Sequence, residues 1–210
     1  AAGRSSSPPH PAAAADAKPG QALFSPNGDG IIDAAVLYLG VSDPQNVTAW
    51  DFAIIDPMGR EVKRFSGKGA PPATLEWNGK DENNQLIRDG TYQYTLGIVT
   101  LSGTRVALPP QEAICDRQAP SARVAVEPAI FSPEEGSAKP VAHFFLQASD
   151  ASGLNSWLLR LRGSSAPKSL FGKGQPPSQI DWDGRTDGGD PAPNGDYAFT
   201  FAVRDRAGNT

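Results

Sequence analysis

Apolar and polar residues alternate along the clearest stretches of this chain, which gives a dominant period of two residues. The alternation is plainest over 92–99 and again over 197–204. Successive side chains of a strand point to opposite faces, so this period predicts strands with one buried and one solvated face. No stretch of ten or more residues combines a helical period with helix caps. We therefore predict an all-β chain.

Further short strands are predicted where β-branched and aromatic residues cluster between turn residues. These predicted strands are 34–41, 50–54, 60–65, 73–76, 105–114, 123–126, 141–148 and 156–162. The run Asp56-Pro57-Met58-Gly59 predicts a hairpin turn, because Asp, Pro and Gly each favour turn geometry.

The same landmarks occur twice, in the same order. The pairs are Phe24-Ser25-Pro26 with Phe131-Ser132-Pro133, Trp50 with Trp157, 67–72 with 172–177, Trp77-Asn78-Gly79 with Trp182-Asp183-Gly184, and 89–92 with 194–197. An ordered series of this kind indicates two copies of one module, over 23–117 and 118–210. The many short strands in each copy, with 22 Gly and 20 Pro in the chain, predict two tandem antiparallel β-sandwiches of the immunoglobulin or fibronectin-III type. The first copy continues beyond the counterpart of Thr210, so we expect the last strand of the second copy to be truncated.

Residues 1–22 consist almost entirely of Ala, Pro, Ser, Gly and polar residues. Such a segment buries too little apolar surface to offset its ordering entropy, which predicts a flexible tether. An Ala-rich helix over 12–17 is the alternative, but it is too short to persist alone.

Charge and cysteine usage exclude several classes of protein. A net charge of −4 and a pI near 5.2 give no basic patch for nucleic acid. No apolar run approaches the roughly 18 residues of a membrane helix. Cys115 is the single cysteine, which excludes a disulfide framework and a cysteine-rich metal site and fits an exported protein. The chain starts without Met or a leader, so we expect any targeting signal to have been removed or to lie outside it.

One stretch combines turn residues with oxygen ligands. Asn27, Asp29, the carbonyl of Ile31 and Asp33 follow the spacing of a calcium loop, with Gly30 at the position of its invariant glycine. The bidentate acid of that loop is missing, because Val36 stands at its position. Two interpretations follow: a calcium site in the first module, or an Asx-rich turn leading into the first strand.

Other candidate residues favour structural roles. Glu134 and Glu135 replace the metal-like spacing in the second copy, and the acids of 181–190 are interpreted as solvated turn residues. Trp77 and Trp182 recur at matching positions, which favours core packing over a sugar-binding platform. His10 and His143 are the two histidines, and no catalytic triad can be assembled from repeat-matched positions.

Taken together, the Phe-Ser-Pro-Asn-Gly-Asp-Gly run, the Trp-bearing strand, Trp-Asn/Asp-Gly and Asp-Gly-Thr-Tyr resemble the immunoglobulin-like domain of the flagellar hook-capping protein and the gliding-motility-associated C-terminal domains. The resemblance implies a non-enzymatic spacer, docking or sorting module of an exported bacterial protein, located in the periplasm, on the outer membrane surface or outside the cell. Its partners would be neighbouring domains or envelope proteins. The alternative is a carbohydrate-binding or positioning module of a secreted hydrolase, with a polysaccharide as partner.

Overall fold

The computed structural model describes residues 15–134, 136–163 and 167–210. The chain divides into two compact units between Asp116 and Arg117. Both are built from β-strands, and the 3₁₀ turn Pro44–Asn46 is the only helical element in the described ranges. The all-β prediction is confirmed. Nothing in these ranges forms a helix long and apolar enough to cross a membrane.

The first unit consists of two sheets. Its strands are β1 Ala15–Gln21, β2 Leu23–Phe24, β3 Ala35–Val41, β4 Val47–Ile55, β5 Glu61–Lys68, β6 Thr74–Trp77, β7 Gly90–Thr100, β8 Arg105–Ala107 and β9 Gln111–Cys115. One sheet has the order β1-β3-β6, and the other has the order β2-β9-β7-β4-β5 with β8 added beside β7. All strand pairs are antiparallel except β2 with β9. The inward faces of both sheets form one apolar core around Phe52 and Leu96.

The second unit repeats the same plan with fewer strands. These strands are β10 Ser121–Glu127, β11 Ala142–Ser149, β12 Leu154–Arg162, β13 Lys168–Lys173, β14 Gln179–Trp182 and β15 Ala198–Asp205. The sheet β10-β11-β14 corresponds to β1-β3-β6, and β13-β12-β15 corresponds to β5-β4-β7. The sequence repeat is therefore a structural repeat, and the predicted pair of antiparallel sandwiches is confirmed.

The structure differs from the predicted tether over part of its length. Residues 1–14 lie outside the described residues, whereas Ala15–Gln21 form β1 and pair antiparallel with β3. A strand ladder is made by backbone groups, so a segment without large apolar side chains can still join the edge of a sheet. Its counterpart in the second unit is β10, which pairs with β11 in the same way.

One predicted strand needs correction, and two strands were missed. The single strand predicted over 105–114 is split into β8 and β9 around Pro109 and Pro110, because proline lacks the N–H that a continuous ladder requires. Strands β13 and β14 were not predicted directly. Both lie where the repeat places the counterparts of β5 and β6, so the landmark pairing contained the signal that composition lacked.

The repeated landmarks come together in a cluster that we call the aromatic corner. In the first unit it consists of Phe24, Trp77 and Tyr92, with ring centroids 5.4 Å apart in both the Phe24–Trp77 and Trp77–Tyr92 pairs. The indole N–H of Trp77 donates to the carbonyl of Lys80 at 3.0 Å. The Tyr92 hydroxyl donates to the carbonyl of Arg88 at 2.9 Å. Each polar atom is thereby satisfied as the rings are buried.

The second unit builds the same corner from Phe131, Trp182 and Tyr197. The Phe131–Trp182 and Trp182–Tyr197 centroid distances are 5.3 and 4.9 Å. Trp182 donates to the carbonyl of Arg185 and Tyr197 to that of Pro193, both at 2.8 Å. Matching landmarks in the sequence therefore mark matching contacts in space.

A proline ring closes each corner against a glycine. Gly79 has φ +69°, and a Cβ placed there would lie 2.7 Å from Cγ of Pro26. Gly184 has φ +78°, and its Cβ would lie 2.8 Å from Cγ of Pro133. The Phe-Ser-Pro and Trp-x-Gly motifs therefore require each other, since only glycine admits the proline ring at this distance.

We expect Gly79→Ala to destabilise the first unit by about 2–4 kcal/mol, because left-handed backbone strain adds to the clash with Pro26. The matched control is Gly69→Ala. Gly69 also has positive φ, at +73°, but no atom lies within 4 Å of its added Cβ, so it carries only the strain of about 1–2 kcal/mol. Urea unfolding followed by unit-resolved hydrogen exchange measures both losses. Equal losses for the two variants would contradict the packing argument.

Candidate functional site

The four residues of the predicted calcium site lie in one loop between β2 and β3. We call residues 25–33 the Asn/Asp loop. Gly28 and Gly30 have φ values of +85° and +84°, a conformation that glycine adopts without steric cost. Their N–H groups donate to the two carboxylate oxygens of Asp33, at 2.7 and 2.8 Å. The Asp33 carboxylate thereby closes the loop from within.

The side chains of Asn27 and Asp29 also accept backbone hydrogen bonds. Asn27 Oδ1 accepts from the N–H of Asp29 at 2.9 Å, and Asp29 Oδ1 accepts from the N–H of Ile31 at 2.7 Å. These are successive Asx turns, the geometry named as the alternative to calcium. The loop therefore closes on its own amides, and its carboxylates keep further lone pairs for another ligand.

The counterpart loop in the second unit keeps only the Phe-Ser-Pro landmark. The N–H of Ser132 donates to the carbonyl of Lys139 at 3.0 Å, as that of Ser25 donates to the carbonyl of Ile32 at 2.9 Å. Glu135 lies outside the described residues. The shared residues thus hold the strand connection, and the Asn-Gly-Asp-Gly run belongs to the first unit alone.

The acids after β6 and β14 brace neighbouring strands. Glu82 accepts the backbone N–H of Arg64 at 2.7 Å, and this hydrogen bond is the main reason that the pKa of Glu82 lies below its usual range. Asp187, its counterpart, accepts the N–H of Ser169 at 3.1 Å. Asp187 was predicted to be a solvated turn residue, and Glu82 occupies the matching position in the first unit. Their equal place in the repeat was the signal that could have revealed the shared role.

A depression of about 450 Å³ in the first unit contains Asp56 and Asp81. Asp56 accepts the N–H groups of Met58 and Arg60, both at 2.9 Å. The Arg60 N–H is the main cause that lowers the pKa of Asp56. Asp81 accepts the N–H groups of Asn83 and Gln85, also at 2.9 Å. Both carboxylates are engaged in turns, and the lowered pKa of Asp56 is the opposite of what a general acid requires.

Trp77 and Trp182 do not form a sugar-binding platform. Trp77 is 1% exposed and Trp182 is 4% exposed, so their faces are covered by the sandwich. Trp50 and Trp157 each lie across a glycine, Gly67 or Gly172, whose added Cβ would fall within 2.8 Å of the indole nitrogen. The carbohydrate alternative therefore loses Trp77 and Trp182, the two rings whose exposure it required.

Cys115 and His143, the remaining candidate residues in the described ranges, also make structural contacts. Cys115 is a free cysteine buried in the first unit, where it packs as a small apolar residue. His143 lies on β11 with Nδ1 2.8 Å from Oδ1 of Asp181, and this contact is the main cause that lowers the pKa of Asp181. His10 lies outside the described residues.

A groove of about 610 Å³ in the second unit was not foreseen. It is lined by the aromatic corner, by Phe144 and by Phe199.

No family model matches the chain, and no curated protein matches it. Among solved structures, the fibronectin(III)-like modules of Clostridium thermocellum CbhA are 12% identical, with 92% of this chain and 88% of that chain covered and a TM-score of 0.48. The FN1–FN3 domains of chicken CNTN1 are 13% identical, with coverages of 90% and 61% and a TM-score of 0.48. A tetra-tandem repeat from the extending region of a large adhesion protein is 15% identical, with a TM-score of 0.37. This chain covers 47% of that fragment.

Proposed function

We propose that the chain is a non-catalytic spacer and docking segment of an exported bacterial envelope or surface protein. Its two sandwiches connect neighbouring domains or bind envelope partners. The observation that supports this proposal is what the two copies share. The aromatic corner, the proline–glycine contact and the bracing acids recur in both units, and all of them hold the sandwich together.

The outward-facing residues, by contrast, differ between the copies. Asp51 and Ser66 face each other across β4 and β5, and Asp51 forms ion pairs with Arg64 at 2.5 Å and Arg105 at 2.7 Å. The equivalent pair in the second unit is Leu158 and Phe171, and Phe171 is 79% exposed. A duplicated frame with divergent surfaces suits a segment that spaces domains and offers different contacts along its length.

The spacer role predicts that each unit resists extension as a separate folded body. Stretched between its ends, the chain is expected to give two distinct unfolding events, each releasing about 300 Å of chain at about 3.6 Å per residue. Single-molecule force spectroscopy measures these lengths. Gradual lengthening without distinct events would contradict the spacer role.

Export predicts that antibodies raised against the 210-residue chain bind intact source cells or the extracytoplasmic fraction. Protease added to intact or outer-membrane-permeabilised cells is expected to remove this signal, while a cytoplasmic marker survives. A signal confined to the protease-resistant cytoplasm would contradict export.

The resemblance to hook-capping and gliding-motility-associated domains belongs to the same proposal. The residues that carry it, Phe24, Pro26 and Trp77 among them, are those that build the aromatic corner. Shared motifs of this kind support a shared module design. The residues that select the partner are expected on the surfaces that differ between the two copies.

We further propose that calcium binds the Asn/Asp loop through Asn27, Asp29, the carbonyl of Ile31 and Asp33. Because the loop already closes on its own amides, calcium would stabilise an existing geometry rather than create it. At a hundred times its Kd, a ligand specific for the folded state adds about 2.7 kcal/mol.

The calcium proposal predicts that EDTA lowers the melting temperature of the first unit and leaves that of the second unchanged. In the Asp29→Asn variant, EDTA is expected to leave the melting temperature of the first unit unchanged. The substitution removes one anionic ligand while keeping an acceptor for the Ile31 amide. Calorimetric titration and unit-resolved hydrogen exchange measure binding and stability. If titration with calcium gives no heat of binding and EDTA leaves the melting temperature of the first unit unchanged, the calcium proposal is wrong.

A further inference from the structure

Strands β12 and β13 of the second unit carry apolar and basic side chains on their outward face. Leu159 and Leu161 of β12 are buried in the core, and Leu170 of β13 packs against them. Because side chains alternate along a strand, the positions that alternate with these residues point away from the core. The large side chains at those positions are Leu158, Arg160 and Arg162 on β12 and Phe171 and Lys173 on β13. We call these residues the basic face.

The apolar centre of the basic face is the pair Leu158 and Phe171, which lie directly opposite each other. Phe171 is 79% exposed, and Leu158 is half-buried. The matching residues of the first unit are Asp51 and Ser66, and Ser66 is exposed as well, although its sheet also contains β8 and β9. Exposure at this place therefore belongs to the plan of the sandwich, and the second copy has an aromatic ring there.

Three cations flank this apolar pair along the strands. Lys173 lies two residues from Phe171 in one direction, and Arg160 lies two residues from Leu158 in the other, because the strands are antiparallel. Two residues of a strand span about 7 Å. Arg162 continues the row beyond Arg160. Neither strand contains Asp or Glu, and within the described ranges none of the three cations forms an ion pair.

The first unit balances the charges of its matching face internally. Asp51 stands at the place of Leu158 and forms ion pairs with Arg64 and Arg105. Ala53 stands at the place of Arg160. The second unit has thus lost the central carboxylate and gained a cation. Its electrostatic complement is a set of carboxylates supplied by another molecule.

We propose that the basic face binds an extended acidic segment of a partner polypeptide, with one large apolar side chain between carboxylates at every second position. The proposal rests on the docking role proposed above and names the chemistry of its partner. Residues i, i+2 and i+4 of an extended chain share one face. The pattern acid-x-apolar-x-acid-x-acid therefore places its apolar side chain on the Leu158–Phe171 pair and its carboxylates beside the three cations. An apolar centre with Arg and aromatic residues is typical of binding hot spots.

Charge disfavours a second copy of the chain as the occupant of this face. A twofold pairing brings the same surface of each copy together, so three cations would oppose three more, and opposed like charges are costly. An anionic lipid surface would match the charge. It would not require carboxylates at every second position, which is the spacing that the strands impose.

The test titrates the 210-residue chain with two capped heptapeptides of equal composition. Asp-Thr-Phe-Thr-Glu-Thr-Glu presents its acids and its phenylalanine on one face of an extended chain, whereas Thr-Asp-Phe-Glu-Thr-Glu-Thr presents them on opposite faces. Amide chemical shifts measure binding. We expect the first peptide to bind saturably at β12 and β13 with a Kd of about 1 mM or lower, and the second to bind at least about fivefold more weakly. Amides of β4 and β5 are the internal control and should not shift.

Variants separate the apolar contribution from the ionic one. Phe171→Ser introduces the residue of the first unit and should weaken binding by at least about tenfold. Combining Arg160→Glu, Arg162→Glu and Lys173→Glu should abolish binding of the acidic peptide and create binding of Lys-Thr-Phe-Thr-Lys-Thr-Lys. The matched control is Lys68→Glu, at the position of the first unit that corresponds to Lys173, and it should leave binding unchanged. The melting temperature of each variant verifies that the second unit remains folded.

Equal binding of the two acidic heptapeptides, or no binding of the first, would overturn the proposal. Phosphatidylcholine vesicles containing phosphatidylglycerol, and the concentrated chain alone, are measured in parallel. If either shifts the β12 and β13 amides while the peptide does not, the face belongs to a lipid surface or to a second copy, and the polypeptide partner is wrong. Stretching and export do not involve this face, so those measurements decide the spacer role separately.

Discussion

The contact of the Pro26 ring with Gly79, and its copy at Pro133 and Gly184, is the constraint on which each sandwich depends. It joins the segment that precedes β3 to the turn that follows β6, and it does so beside the Phe24–Trp77 ring pair. Removing a buried aromatic ring of this size typically costs about 3–5 kcal/mol. A single glycine thus determines whether that aromatic contribution is realised, because any side chain at this point would displace the proline.

This dependence explains how much the sequence could predict. Residues that build the corner have to recur whenever the module recurs, so Trp77 and Trp182 stood out as landmarks of the repeat. The alternation of apolar and polar residues predicted the strands. Strand β1 was missed for the opposite reason. Its pairing uses backbone groups alone, so Ala15–Gln21 needed no side-chain pattern, and composition suggested a tether instead.

For the Asn/Asp loop, the sequence alone could not distinguish an Asx-rich turn from a calcium site. Backbone amides and a calcium ion both bind carboxylate oxygens, and the spacing of Asn27, Asp29 and Asp33 fits either. What separates them is backbone conformation. The positive φ of Gly28 and Gly30 turns their N–H groups onto Asp33, and no spacing rule specifies that orientation. The structure therefore shows Asx-turn geometry in this loop, with carboxylate lone pairs left over for a cation.

The aromatic corner of the second unit follows from the same frame, because the Tyr197 hydroxyl donates to the carbonyl of Pro193 and its ring packs against Trp182. The two units nevertheless differ at one position beside the corner, Tyr94 in the first and Phe199 in the second. In the first unit, closure buries the Tyr94 hydroxyl without a hydrogen-bond partner among the described residues, and burial raises the pKa of that phenol. An unsatisfied hydroxyl costs about 1–3 kcal/mol. Phe199 has no hydroxyl, so the second unit carries no such cost at the matching position. The same frame therefore tolerates either ring, and the difference lies in one polar atom rather than in the packing of the corner.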